Sequence, residues 1–288
     1  MTATREPHRG AQGAAEIVED VLRFGSTGQL VGIATRPERA LAPAPAVLIL
    51  NAGVIHRVGP HRLHVVLARR LAELGLSTLR LDLGGIGDSI TSSDATTFRE
   101  SAVADTRLAL TGFGAQRYVI FGVCAGADNA LATALVDDRV AGIVLVDPYT
   151  YATRASKLRG LADKVRVLGP RETMRRGLRA AVRIARERMT PPDPDEADQS
   201  GGREAPPIET YRGDLGKLVA RGVKILSIYS GVHGAKYNHA DQLFELFPEL
   251  RGKVDRAYFP HANHTFTELA AQAELVQTAA SWIARVPP

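Results

Sequence analysis

The chain carries its apolar residues in two alternating rhythms. Short, dense apolar runs at Ala46–Leu50, Ser77–Leu81, Arg117–Phe121 and Val140–Val146 are separated by longer stretches with helical spacing. Runs of this kind predict parallel strands covered on both faces. His61–Leu74 is such a helical stretch, with Leu63, Val66, Leu67, Leu71 and Leu74 on one expected stripe. Gly75 is its expected stop. Further helices are expected over Thr97–Thr111 and Ala125–Leu135. The same alternation returns late: a strand over Val223–Tyr229, a helix over Asp241–Phe247, a strand over Val254–Phe259 and a last helix over Thr265–Ile283. Near the start, Glu16–Phe24 and Gln29–Thr35 alternate apolar and polar residues around Ser26-Thr27-Gly28, which predicts an edge hairpin. Repeated strand–helix alternation implies an α/β fold, a mostly parallel sheet with helices on both faces.

The alternation breaks between Asp147 and Lys224. Tyr151–Arg188 reads as two or more helices and holds twelve Lys or Arg against three acidic residues. Thr190–Pro207, rich in Pro, Gly, Asp and Glu, reads as a mobile loop. The expected organisation is therefore a flexible tail over 1–15, a core over 16–150 and 223–288, and an inserted helical segment over 151–222 containing the mobile loop 190–207. A chain of 288 residues is long enough for one large α/β core.

Charge and cysteine content narrow the chemistry. The single cysteine excludes an intrachain disulfide and a multi-thiolate zinc site. No apolar run approaches the roughly 18 residues that cross a bilayer. Met1–Ala15 lacks the apolar centre of a signal peptide, so a cytoplasmic location is expected. The net charge of +5 is concentrated in the inserted segment. That segment suits an anionic partner, either lipid headgroups or an acidic carrier protein delivering an acyl chain. Nucleic acid is not expected, because no nucleic-acid fold signature accompanies the charge.

Gly122-Val123-Cys124-Ala125-Gly126 follows an apolar strand and precedes a helix. A nucleophile on such a turn needs small neighbours two positions away on each side. The following helix also aims its N-terminus at the thiol, which favours a thiolate. A base is available at His264, in the loop between the last strand and the last helix; His261 is the nearby competitor. The order is nucleophile, acid, base. The acid is less direct. The loop after Val223–Tyr229 reads Ser230-Gly231-Val232-His233-Gly234 and holds no carboxylate. Asp147, at the end of the strand after Cys124, is the first candidate acid. Asp241 is the alternative, and a Cys–His pair without an acid is the third. The Ala125 amide is one expected oxyanion donor, with Gly53 or Val54 as the second.

The segments Leu48–Gly59, Asp82–Ser89, Phe121–Ala130 and His261–Phe266 together resemble the α/β-hydrolase superfamily. The likeness is to its serine-aminopeptidase-like and exosortase-associated hydrolases, some of which carry Gly-x-Cys-x-Gly. It covers nearly all of the chain outside the insertion. It implies an eight-stranded sheet and a helical cap after the sixth strand, with Cys124 as nucleophile and His264 as base. Asn51-Ala52-Gly53 departs from the usual His-Gly oxyanion motif, and the missing late acid is a second departure.

Other signals carry less. His56, His61 and His64 lack an acidic or Cys partner at ligand spacing, so no metal is expected. Gly84-Gly85-Ile86-Gly87 is a poor dinucleotide fingerprint and no phosphate loop occurs, so no cofactor is expected. Asp128, one turn beyond Cys124, is expected to pack or hydrogen-bond within the elbow. The expected function is Cys-His-Asp chemistry on the ester or thioester of a small acyl substrate, through an acyl-cysteine. The alternatives are a non-hydrolytic acyl elimination, transfer or cyclisation, as in similar proteins of tetronate biosynthesis, and a catalytically silent binding protein.

Overall fold

The structure, a computed structural model, describes residues 17–39, 44–91, 97–189, 203–234 and 236–288. The tail expected over 1–15 and most of the loop expected over 190–207 lie outside them. Eight strands form one sheet in the order β1-β2-β4-β3-β5-β6-β7-β8. They are β1 (Ile17–Phe24), β2 (Leu30–Pro37), β3 (Ala46–Ile49), β4 (Thr78–Leu81), β5 (Tyr118–Val123), β6 (Val140–Val146), β7 (Lys224–Ser230) and β8 (Asp255–Phe259). β1 and β2 form the expected hairpin, and β2 also runs antiparallel to β4. The pairings among β4, β3, β5, β6, β7 and β8 are all parallel.

Every residue of β3, β5 and β6 is buried. Alternate side chains of one strand serve opposite faces. Leu48 and Ile120 point into one core with Ala109 and Leu110 of α2 (Phe98–Phe113) and Ala130 of α3 (Ala125–Val136). Val47, Val119 and Phe121 point into the other. There they meet Leu67 and Leu71 of α1 (Leu63–Glu73) and the C-terminal helix, Leu269–Ile283. The apolar runs therefore needed helices on both sides.

The α1 stripe differs from the expected one by a single step. Leu63, Leu67 and Leu71 are buried as expected, but Val65 replaces Val66, which is exposed. The helix begins only after a kink at His61 and Arg62, both in the left-handed region. The C-terminal helix starts at Leu269 rather than Thr265, because Phe266 (φ 49°) turns the chain to bury its ring first.

Between β6 and β7 lie α4 (Arg154–Leu168), α5 (Pro170–Met189) and α6 (Ile208–Ala220). A reciprocal Thr153–Ser156 cap opens α4. Thr153 and Arg159 both bond Glu245, which ties α4 to α7 (Gln242–Leu246). α6 behaves differently from the other two. Its Tyr211, Leu215 and Leu218 are buried in the core beneath the sheet, so this part of the 151–222 segment is a core crossover helix. The C-terminal helix is α8 in chain order. No helix among the described residues is long and apolar enough to cross a membrane.

The α1 facing is directly testable. Leu67→Ala is expected to cost about 2–5 kcal/mol in chemical denaturation. Val66→Ala should change stability by less than about 0.5 kcal/mol. Equal effects would refute the assigned face.

Candidate active site

Four neighbouring parallel strands end at one place, and each delivers part of the site. Cys124 follows β5, Asp147 follows β6, Ser230 and His233 stand at the end of β7, and His264 follows β8. Open α/β sheets bind ligands outside these carboxyl ends.

Cys124 occupies φ 56°, ψ −120°, a conformation that L residues avoid. Its N–H donates to the Val146 carbonyl (2.9 Å), and its own carbonyl accepts from the Ala127 (2.9 Å) and Asp128 (3.3 Å) amides. The two glycines are required by contact. A Cβ on Gly122 would overlap the Gly126 carbonyl, and one on Gly126 would overlap the Asn51 carbonyl. Only without them can the first turn of α3 lie directly on the ends of β3 and β5.

Asp147 is fully buried and also sits at positive φ (48°). Its Oδ1 accepts the Ser230 N–H (2.7 Å). Its Oδ2 accepts the Ser230 hydroxyl (2.7 Å) and His264 Nδ1–H (2.7 Å). His233 Nε2 lies 3.1 Å from Oδ1, and its ring stands edge-on to His264 at 6.2 Å. Burial pushes the Asp147 carboxyl up, but the His233 and His264 imidazoles and the Ser230 amide outweigh it and hold the group well below the usual carboxylate range.

His264 is carried by a short loop anchored by the buried Phe266 ring against Phe259. Its hydrogen bond to Asp147, and then that to Cys124, push the imidazole up to about 10. Cys124 is lowered, first by the His264 hydrogen bond, against the cost of burial, with further help from the Arg203 charge and the Ala125 amide. With Nδ1 engaged by Asp147, it is Nε2 that faces the sulfur. The three groups thus favour a thiolate–imidazolium pair backed by an ionised acid.

The other expected residues fall as follows. Asp241 is bound to Arg256 (2.6 Å) and lies 3.6 Å from Arg251, away from His264, so it is not the acid. His261 is exposed. Ala125 is the first residue of α3, so helix geometry leaves its N–H without an intrahelical acceptor. Gly53 (φ 59°) sits with exposed Val54 in a turn closed by Ile55 N–H to the Ala52 carbonyl (3.2 Å). Asn51 fixes the base of this turn. Its amide donates to Asp82 (3.0 Å) and to the Ile55 carbonyl (3.0 Å), and its Oδ1 accepts the Leu83 N–H (2.8 Å). That task explains a residue other than His at the position. His64 is fully buried against Phe121, whereas His56 and His61 face solvent.

Three residues at this candidate site had no place in the sequence expectations. Ser230 and His233 lie in the loop noted only for lacking a carboxylate; their place at the end of β7 was the available signal. Arg203 had none, since its segment reads as mobile loop. Its guanidinium grips both Asp128 oxygens, donates to the Asp147 carbonyl (2.8 Å) and lies 4.6 Å over the Tyr149 ring. Asp147, His233 and His264 bring possible ligand atoms within 4.8 Å of one another. Both Asp147 oxygens are already occupied by Ser230 and His264, so these residues fit a hydrogen-bonded array better than a metal.

A family model described as alpha/beta hydrolase fold matches residues 45–177, from the edge of β3 through the elbow and Asp147 into α5. No curated protein matches the chain. Several solved structures are similar. A thioesterase domain from the curacin biosynthetic pathway shares 18% identity over 93% of this chain and 99% of that one, with TM-score 0.53. A proline iminopeptidase of Mycobacterium smegmatis shares 18% over 92% and 97%, with TM-score 0.54. A hypothetical protein of Pseudomonas aeruginosa PAO1 shares 15% over 93% and 100%, with TM-score 0.55. Strand order, elbow and family model agree on the α/β-hydrolase fold. At these identities the structural likeness is one of fold.

Two substitutions test the site's construction. Gly122→Ala is expected to cost about 3 kcal/mol or more of stability, read by denaturant unfolding, since backbone must move to admit the methyl. Asp147→Asn replaces one of the two acceptor oxygens with an amide donor, which then faces either the Ser230 N–H or His264 Nδ1–H. It should cost about 1–3 kcal/mol. A stability equal to the parent's would contradict the assigned hydrogen bonds.

Proposed function

We propose that this chain is a cysteine-dependent acyl-processing enzyme that works on an ester or thioester through a covalent acyl-cysteine at Cys124. One observation carries the reading: the sole thiol stands on a strained elbow beside an imidazole whose other nitrogen is held 2.7 Å from a buried carboxylate.

The steps follow from the protonation pattern. The Cys124 thiolate attacks the substrate carbonyl carbon, forming a C–S bond and placing negative charge on oxygen. The Ala125 N–H and a donor from the Gly53–Val54 turn hold that oxyanion. As the intermediate collapses, the bond to the leaving oxygen or sulfur breaks, and His264 Nε2 supplies its proton. A water then gives a proton to His264 and attacks the thioester, which returns the acid product and the thiol. Asp147 keeps the imidazole oriented and stabilises its charged form. Arg203, fixed by Asp128, adds a positive charge that favours the thiolate. A thiolate exchanges readily with thioesters, which favours activated acyl donors over amides. If another nucleophile replaces water, the same intermediate supports acyl transfer or cyclisation.

Labelling and activity test this together. Iodoacetamide should modify Cys124 well below the free-cysteine range near about pH 8.5. His264→Ala should slow labelling at pH 7 by about tenfold or more and move its midpoint upward. Absence of that shift would indicate a binding protein with an idle thiol. Against chromogenic esters and thioesters, Cys124→Ala should lose at least about a thousandfold in kcat/KM. Full retention by Cys124→Ala would instead indicate an elimination driven by His264 alone.

A further inference from the structure

The helix pair α4–α5 carries a surface that neither the core nor the site uses. On α5, Met174, Leu178 and Val182 are 74%, 68% and 62% exposed. Their four-residue spacing places them on one stripe. Thr173 and Ala180, on the other side of α5, are half-buried, and α5 packs on α4. The helix therefore rests on a different face and leaves its apolar stripe to solvent. Leu158 and Leu161 do the same on α4. Scattered exposed apolar residues need no explanation, but stripes on two adjoining helices do.

The charge around the stripes is strongly one-sided. Residues 151–188 hold twelve Lys or Arg against three acids. On α5, Arg171, Arg175, Arg176 and Arg179 are exposed, with Glu172 as an acidic neighbour of Arg175 and Arg176. A helix rich in arginine, low in overall hydrophobicity and apolar along one stripe has the physics of a segment lying flat among lipid headgroups.

We propose that α4–α5 docks the protein on an anionic lipid surface. Met174, Leu178 and Val182 enter the boundary of the acyl chains, and the arginines engage the headgroup phosphates. Charge complementarity selects this occupant. A second copy would set the same positive surface against itself. An acidic carrier protein would satisfy the arginines without calling for a stripe more than two turns long. The inference rests on the helix pair and is independent of the chemistry at Cys124.

Co-sedimentation of the full chain with vesicles tests it. One set is phosphatidylcholine alone; the other is an equal mixture of phosphatidylcholine and phosphatidylglycerol. The protein should bind the mixed vesicles, release in high salt and leave the neutral vesicles unbound. Each arginine neutralised should weaken partitioning about fivefold, so Arg175→Gln with Arg179→Gln should lose about twenty-five-fold. Leu178→Glu should abolish binding while circular dichroism shows the fold retained. Equal binding to both vesicle types, or binding to neither, overturns the proposal. So does a Leu178→Glu protein that binds like the parent, which would leave charge alone at work, as for an acidic protein partner. A parent dimer that Leu178→Glu dissociates would assign the stripe to a second copy instead.

Discussion

The close approach of the first turn of α3 to the ends of β3 and β5 governs the site. Gly122 and Gly126 permit it, because side chains there would occupy the space of two backbone carbonyls. The chain must then turn within one residue, and Cys124 absorbs that turn in a left-handed conformation. Such strain costs free energy, of order 1–3 kcal/mol. Backbone hydrogen bonds to Val146, Ala127 and Asp128 hold the residue there. The same packing leaves Cys124 half-buried at the bend and the Ala125 amide at the free end of a helix. The bend at Cys124 and the free Ala125 amide thus share one steric cause.

Asp147 shows how a buried carboxylate is held from two strand ends. The carboxylate stands at the end of β6, and the end of β7 supplies the groups that hold it. Ser230 gives two hydrogen bonds, and His233 approaches the oxygen turned away from His264. Close packing of the neighbouring loops makes this possible: Gly231 donates to the Ala262 carbonyl (3.1 Å) and leaves no room for a Cβ beside Pro260. A fully buried carboxylate is tolerable because its charge meets donors and imidazoles on every side described.

Arg203 joins the inserted segment to the carboxyl ends of the strands. It reaches Asp128 on α3, the Asp147 carbonyl and the Tyr149 ring. The inserted segment therefore serves two surfaces. Its far end contributes a half-buried cation, whereas α5 keeps Met174, Leu178 and Val182 and several arginines outward. Basic residues of this segment thus face two ways: Arg203 is half-buried and paired, whereas Arg171, Arg175, Arg176 and Arg179 are exposed on α5.

Much of this was open to reading in the linear chain, for a physical reason. Strand runs, helix periods and the Gly-x-Cys-x-Gly turn are local patterns, and local sterics and burial of both sheet faces leave few alternatives. So the eight strands and the bend at Cys124 were determined at that level, and His264 and Asp147 were already candidates. What depended on distant segments was decided only by the tertiary structure. Val65 rather than Val66 packed inward on α1, a choice between neighbours that apolar spacing alone did not make. Asp241 and Asp147 were both plausible acids until the packing sent one to Arg256 and the other to His264. Ser230, His233 and Arg203 had no local signature, since a hydrogen bond between residues 56 or 83 positions apart leaves no period in the sequence.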